Sequence, residues 1–371
     1  MQIDNVNFIL LRSMPEFHSL RVSDVRKETE DTVSVSFDVP KELTSDYIFK
    51  QGQYLTLRKE IAGEDTRRSY SICSGVDEGE LRVAIKLVEG GLFSTYANTK
   101  LKSGDEMQVM TPMGNFTSVL SSENEKHYLL IAAGSGITPM LSIIKSVMTK
   151  EPDSRVTLLY GNRYFKGIIF RDILEDLKDA YLGRLRVFNI LSGENNEIDL
   201  FSGRIDEDKI NGFCSTFIDP KSCDEVFICG PEPMINTVNE TLQLLGVDSQ
   251  NIHFELFTSP KGSLYKEKEI VVEEKFKGKT CEVEVTLYGQ QWDFEMPFDK
   301  TVLDVAAEKG LDLPFSCMGG MCCTCRAKLQ GGEVDMLVNY ALEPEEVKDG
   351  FILTCQALPK SDKIVVNFDE Q

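Results

Sequence analysis

Cys317-Met318-Gly319-Gly320-Met321-Cys322-Cys323-Thr324-Cys325 packs four cysteines into one short loop, and Cys355 follows well downstream. The spacing Cys317-x4-Cys322-x2-Cys325 with a distant fourth thiol is that of a [2Fe–2S] cluster held by four thiolates. Two irons carry positive charge and call for anionic sulfur. A short loop wraps one side of such a cluster only where its backbone turns tightly, which Gly319 and Gly320 permit. A structural zinc site is the alternative, but zinc ligands usually come as two closely spaced pairs, and here Cys355 stands alone. Cys323 lies between two proposed ligands and reads as a small packed thiol. Cys73, Cys214, Cys223, Cys229 and Cys281 are scattered, which argues against a disulfide framework.

Outward from this loop the chain changes pattern three times. Residues 276–371 form a compact mixed α+β unit: Val283, Val285 and Leu287 alternate as a strand, and Thr301 to Lys309 reads as a helix stopped by Gly310. Two late strands, Phe351 to Ala357 and Lys363 to Phe368, close it. Residues 258–275, TSPKGSLYKEKEIVVEEK, are polar and read as a linker. Residues 123–257 alternate strand, glycine turn and helix: Tyr128 to Ala132, Thr138 to Met148, Arg155 to Tyr160, Val226 to Cys229. That rhythm predicts a doubly wound parallel α/β sheet. Residues 16–122 show short alternating runs such as Thr32 to Phe37 and Leu81 to Lys86, separated by glycine turns, and predict an antiparallel β-barrel. A multidomain chain of this kind fits 371 residues.

Two segments carry anion-binding chemistry. Ile131-Ala-Ala-Gly134-Ser-Gly136-Ile-Thr138-Pro139-Met140 follows a strand and opens a helix. Gly134 and Gly136 let a phosphate approach backbone N–H groups, with Thr138 expected as the helix cap. Val226-Phe-Ile-Cys229-Gly230-Pro231 is a second strand–turn at the same sheet edge, where ligands of parallel sheets lie, so Cys229 is expected to face the ligand. In the barrel, Arg67-Arg68-Ser69-Tyr70-Ser71-Ile72 puts a cation and a ring on one strand face. Lys86, Val88, Gly91, Leu92, Phe93 and Ser94 mark a strand, a glycine turn and a helix start, with Ser94 expected as its cap.

Taken together and in this order, the motifs resemble the ferredoxin–NADP reductase superfamily with a plant-type ferredoxin domain fused at the C-terminus. Arg68-Ser69-Tyr70-Ser71 is similar to its R-x-Y-S flavin motif, Gly134 to Pro139 to its nicotinamide-phosphate loop, and Cys229-Gly230-Pro231 to its nicotinamide-side motif. Tyr160 to Arg163, Asp224 to Pro231 and Ile252 to Phe257 resemble the subgroup that serves ring-1,2-phenylacetyl-CoA epoxidases. The resemblance implies a β-grasp cluster domain, FAD, a [2Fe–2S] cluster on Cys317, Cys322, Cys325 and Cys355, and NADPH or NADH as donor. It implies that Tyr70 packs on the isoalloxazine, that Arg68 binds the pyrophosphate, that Ser71 contacts the ring and that Gly91 to Ser94 hold the diphosphate. Thr138 and Cys229 would line the nicotinamide–flavin junction, with Glu255 assisting and Gly230 and Pro231 beside them. Phe257 would stand where shorter relatives end on an aromatic over the flavin. The acceptor implied is the oxygenase component of a multicomponent monooxygenase.

Other residues refine this expectation. After the second nucleotide strand the chain reads Gly161-Asn162-Arg163-Tyr164-Phe165-Lys166, with no acid for a ribose 2′-hydroxyl, so Arg163 predicts pairing with the 2′-phosphate of NADPH. A solvated surface arginine is the alternative. His18, His127 and His253 form no catalytic set and read as structural. The formal net charge of −20 excludes a generic nucleic-acid binder and disfavours an anionic membrane surface. Residues 1–13 lack the pattern of a secretory signal, Met14 opens a plausible second start, and the protein reads as cytoplasmic. Three further readings stay open: a flavin-free carrier, a stand-alone oxidoreductase without a protein acceptor, and a reductase of another aromatic-ring oxygenase.

Overall fold

A computed structural model describes residues 15–194, 196–257, 270 and 272–370. The N-terminal extension expected over residues 1–13 lies outside them, as does most of the expected linker. The first unit comprises β1 (Phe17–Thr29), β2 (Thr32–Asp38), β3 (Tyr54–Ile61), β4 (Glu64–Ser71), β5 (Leu81–Lys86), α1 (Leu92–Thr99) and β6 (Glu106–Met110). Its strands run antiparallel in the order β4-β3-β6-β1-β2-β5. A bridge between Ile72 and Val83 ties the end of β4 to β5 and closes the sheet into a barrel. Alternating Leu20, Val22, Leu55, Leu57, Val83 and Ile85 fill its interior.

The second unit comprises β7 (His127–Ala133), α2 (Ile137–Lys150), β8 (Arg155–Asn162), α3 (Arg171–Ala180), β9 (Leu185–Leu191), α4 (Glu207–Thr216), β10 (Glu225–Gly230), α5 (Glu232–Leu244) and β11 (Ile252–Leu256). All five strands are parallel, in the order β11-β10-β7-β8-β9. The central strands β7 and β10 are apolar and buried along most of their length because both sheet faces are covered there. Barrel and sheet share one apolar core: Cys73, Ala84 and Phe116 pack with Ile137, Met140 and Phe227. Phe116 meets Phe227 edge to face at 5.0 Å, and Ser142 Oγ donates to the Ser74 carbonyl at 2.7 Å.

The third unit comprises β12 (Thr280–Leu287), β13 (Gln290–Pro297), α6 (Val302–Glu308), β14 (Arg326–Gly331), β15 (Val334–Met336), α7 (Pro344–Lys348), β16 (Phe351–Leu353), β17 (Ala357–Pro359) and β18 (Lys363–Asn367). The main sheet runs β13-β12-β18-β14-β16, with β12 and β18 parallel and the other pairs antiparallel. Val302, Leu303, Val305 and Ala306 of α6 bury against it, which is the β-grasp arrangement. Val272 already packs on this core. The strand expected from Phe351 to Ala357 is two strands with a break at Thr354–Gln356. There Thr354 donates through both N and Oγ1 to the Cys325 carbonyl, and Cys355 is thereby placed beside the cysteine loop. Among the described residues no helix is long and apolar enough to cross a membrane.

Candidate functional site

Four of the five clustered cysteines meet as two pairs. Cys322 Sγ donates to Cys317 Sγ at 3.2 Å, and the Cys325 thiol hydrogen-bonds to Cys355. Among the described residues no three His, Cys, Asp or Glu side chains converge as a single ion requires. Two pairs are what a two-iron cluster asks for, one pair to each iron, so the donor set fits a [2Fe–2S] group better than zinc. Cys322, together with the backbone N–H groups of Gly319, Met321 and Cys322, holds the Cys317 thiol down to about 6. Cys325 likewise lowers Cys355. Gly320 takes the tight turn at φ +71°, where a Cβ would meet the Val338 carbonyl oxygen at 2.8 Å. Gly319 does not share that turn. It donates its N–H to Cys317 Sγ at 3.4 Å instead. Cys323 is no part of either pair: its Sγ donates to the Ala341 carbonyl at 3.2 Å, and burial pushes its thiol up to about 12.

The strand expected to meet the flavin is β4. Arg68 and Tyr70 share one face and Ser69 and Ser71 the other. Tyr70 lies against Phe93 with ring centroids 5.7 Å apart. Arg68 Nη1 donates to the Arg67 carbonyl at 2.6 Å and the side chain stays half-buried. Ser71 Oγ donates to Glu255 Oε2 at 3.0 Å, which joins the barrel to β11. Burial pushes Glu255 up to about 7, against the Ser71 hydrogen bond.

Several side chains differ from expectation. Ser94 does not cap α1. Gly91 holds the cap position, and the Ser94 hydroxyl reaches back to accept from Val88 N at 3.1 Å and donate to the Gly91 carbonyl at 3.2 Å. A Cβ on Gly91 would sit 2.6 Å from that hydroxyl, so the turn needs glycine. The Phe93 ring belongs to the barrel core, so only its backbone and that of Leu92 remain for the anion-binding role expected of them. Lys86 is engaged by Asp31 at 3.2 Å. Thr138 does not cap α2 either: it lies inside the first turn and its Oγ1 donates to the Ser135 carbonyl at 3.0 Å, while Gly136 holds the cap position.

At the sheet edge, Gly134 (φ +55°) has open space where a Cβ would point, as a phosphate cradle requires. Gly136 is pressed on β10, with a Cβ position 2.1 Å from the Cys229 carbonyl oxygen. Cys229 is 0% exposed and its thiol is pushed well up by burial, so it is enclosed in the shared core and does not face open space. Gly230 packs on Ala133, Pro231 precedes α5, and Phe257 packs on the shared core. Arg163 is exposed at the carboxyl end of β8, its guanidinium 5.1 Å from the Tyr164 ring centroid. His127 and His253 are structural: the first bonds Thr157 Oγ1 at 2.9 Å and burial lowers it to about 4, and the second meets Glu225 at 2.8 Å.

The cysteine loop rests on the flavin strand. Ser69 Oγ donates to Ser316 Oγ at 2.8 Å. The Tyr54 hydroxyl accepts from Cys323 N at 3.1 Å and lies 3.2 Å from Thr324 Oγ1. Sequence reasoning missed this junction. Its partners stand some 250 residues apart, and a doubled arginine, Arg67-Arg68, was its nearest signal.

Comparison with known proteins agrees with this layout. Residues 19–118 match the oxidoreductase FAD-binding domain, 130–240 the oxidoreductase NAD-binding domain, and 280–360 the 2Fe-2S iron-sulfur cluster binding domain. The chain is 43% identical over 359 residues to one of the subunits of the 1,2-phenylacetyl-CoA epoxidase of Escherichia coli K12, covering 96% of this chain and 99% of that one. It is 33% identical to the ferredoxin reductase component of 3-ketosteroid-9-alpha-monooxygenase of Rhodococcus rhodochrous, covering 94% and 96%. Phthalate dioxygenase reductase shares the fold at 23% identity, with a TM-score of 0.57 over 95% of this chain and 98% of that one. The chain belongs to the ferredoxin–NADP reductase superfamily, in the branch of NAD(P)H-dependent reductases that bind FAD and carry a [2Fe–2S] domain at the C-terminal end.

Proposed function

We propose that this chain is the reductase component of a phenylacetyl-CoA epoxidase system, taking electrons from NADPH and delivering them singly to the oxygenase. The observation that carries the route is the hydrogen bond from Ser69, inside the flavin motif, to Ser316, next to Cys317. The 43% identity along nearly the whole of an epoxidase component supports the acceptor. FAD supplies the conversion of hydride into single electrons, and the cluster supplies a one-electron exit.

The chain's own residues orient and insulate. Tyr70 offers a ring face, Arg68 a cation for pyrophosphate, and the backbone from Gly91 to Phe93 an anion cradle. Gly134 opens the start of α2 to the nicotinamide phosphates. Glu255 holds its proton near neutrality and keeps the Ser71 hydroxyl oriented between the two front units. Cys317 is exposed, as is Met318, so one side of the loop faces the barrel and the other is open to an acceptor. The same reading places the protein in the cytoplasm, where the cysteines outside the cluster stay reduced.

Preference for NADPH over NADH is part of the proposal and rests on Arg163, which is exposed and unopposed by an acid in its own turn. Losing a charge-assisted hydrogen bond costs about 1.5–3 kcal/mol, so Arg163→Ala should lower kcat/KM for NADPH roughly tenfold or more and spare NADH. Equal effects on both nucleotides would remove the argument.

The decisive experiment mixes the purified chain with the phenylacetyl-CoA oxygenase, NADPH, O2 and phenylacetyl-CoA. Epoxide formation coupled to NADPH oxidation is expected. Rapid reduction of a different oxygenase, with none of this one, would leave only the general reductase assignment.

A further inference from the structure

We propose that Arg67 is the positioning residue that fixes the cluster domain on the flavin domain, and so sets the flavin-to-cluster electron-transfer rate without acting on the nucleotide-to-flavin step. The proposal rests on the electron route given above. Arg67 is charged yet only 3% exposed. A buried guanidinium is costly unless it is paired and hydrogen-bonded. Its Nε and Nη2 donate to Asp65 Oδ2 at 3.2 and 2.9 Å within the barrel. The same Nη2 donates across the interface to Asp312 Oδ1, and Nη1 reaches the Leu313 carbonyl at 3.5 Å. The guanidinium carbon lies 4.1 Å from the Phe315 ring centroid and 5.5 Å from that of Phe17. The other oxygen of Asp312 is taken by Arg58 at 3.1 Å.

These contacts fall on one short segment. Asp312, Leu313, Phe315 and Ser316 lead straight into Cys317, and all four are held by β3 or β4 of the barrel. Across the loop, Tyr54 holds Cys323 and Thr324. The strand that carries Arg68 and Tyr70 on one face therefore grips the approach to the cluster ligands from the other.

The other polar contacts at this interface are single hydrogen bonds. The core of the cluster domain is made of its own residues. Beyond the barrel strands, the Tyr288 hydroxyl donates to the Pro15 carbonyl at 2.8 Å, Met321 packs on the nucleotide unit, Asn115 bonds Glu346 at 3.2 Å, and Tyr340 reaches Glu232 at 3.4 Å. Across the interface one planar guanidinium meets Asp312 through Nη2, the Leu313 carbonyl through Nη1 and the Phe315 ring through its face, which fixes an angle as well as a distance, as scattered polar contacts do not.

The test compares wild type, Arg67→Gln, Asp312→Asn and the double variant, each first checked for FAD content and for the visible spectrum of the cluster. Anaerobic stopped-flow with NADPH follows flavin and cluster bleaching separately. Flavin reduction should stay within about twofold of wild type, while cluster reduction in Arg67→Gln slows roughly tenfold or more, as a small misplacement allows. Asp312→Asn should move in the same direction, and the double variant should slow by less than the product of the two single effects, because both lose the Arg67–Asp312 contact while only Asp312→Asn also weakens the Arg58 pair. Amide exchange over residues 312–316 should rise in both single variants, a readout independent of turnover. Arg67→Lys, which keeps the charge, should recover part of the rate. Wild-type cluster reduction in Arg67→Gln, or equal slowing of flavin and cluster, would overturn the proposal. Should Arg67→Gln fail to bind FAD, an unaltered Asp312→Asn would overturn it by itself. Failure of NADPH to reduce the cluster in wild type would instead sink the electron route.

Discussion

Glu255 shows how burial writes chemistry onto one side chain. Its carboxyl ordinarily titrates near 4.5 but is pushed up to about 7 by burial where β11 meets the flavin motif, and the Ser71 hydrogen bond offsets only part of that rise. The raised value means that the proton is held below about pH 7 and lost as pH rises through it; the stability this gives is fully present below about 4.5 and is lost as pH rises from there through about 7. A carboxylate there opposes negative charge arriving in the same junction. NADPH oxidation with ferricyanide as acceptor should therefore slow as pH rises through about 7, and Glu255→Gln should flatten that step. An unchanged pH profile in the Gln variant would show that Glu255 is not the titrating group. The cysteines allow a second test at this scale. Replacing Cys317, Cys322, Cys325 or Cys355 by Ser should abolish the visible cluster spectrum, whereas Cys323→Ser should keep it, since its thiol only bonds Ala341. The meeting of Cys317, Cys322, Cys325 and Cys355 was legible because three of them lie within one turn-rich loop. Arg67 was not, because its meaning depends on Asp312, 245 positions away.

At the scale of elements, the glycine turns were readable and the caps were not. Both expected caps, Ser94 and Thr138, carry the right side chain one turn too late. A hydroxyl two or three residues inside a helix bonds a backbone carbonyl just as readily, and local sequence does not separate the two. The position of Gly136 is more demanding than its helix-cap role suggests. It is the point where α2 meets β10, with no room for a methyl against the Cys229 carbonyl. Gly136→Ala should cost about 1–3 kcal/mol of stability by overpacking and weaken nicotinamide binding, measured by denaturant unfolding and by KM. Strand β2 was legible in extent but not in burial. Ser34 and Ser36 are covered as fully as their apolar neighbours, because Arg82 lies over them, held to Ser34 at 2.9 Å and to Asp24 and Glu80 at 2.7 Å. A polar strand face roofed by a charged network has the same alternating sequence as one facing water.

Across the whole molecule two interfaces of opposite character divide the labour. The barrel and the parallel sheet share an apolar core and should behave as one body, whereas the cluster domain is attached through hydrogen bonds and arginine pairs. A cluster-free Cys355→Ser chain should therefore retain FAD and pass electrons from NADPH to ferricyanide at close to the wild-type rate. Loss of both functions would mean that the front units depend on the cluster. The charge distribution governs the next transfer. Residues 276–371 carry 17 acidic against 9 basic side chains, and the open side of the cluster loop, at Cys317 and Met318, belongs to that unit. An acidic exit attracts a basic dock on the acceptor. Such an encounter is steered over about a Debye length, near 8 Å at physiological salt, and weakens as salt shortens it. Electron delivery to the oxygenase should thus fall as ionic strength rises, while ferricyanide reduction by the same preparation, which needs no docking, changes little. Measured side by side, a salt-insensitive coupled rate would assign the acidity of this domain to solubility and remove it from partner recognition.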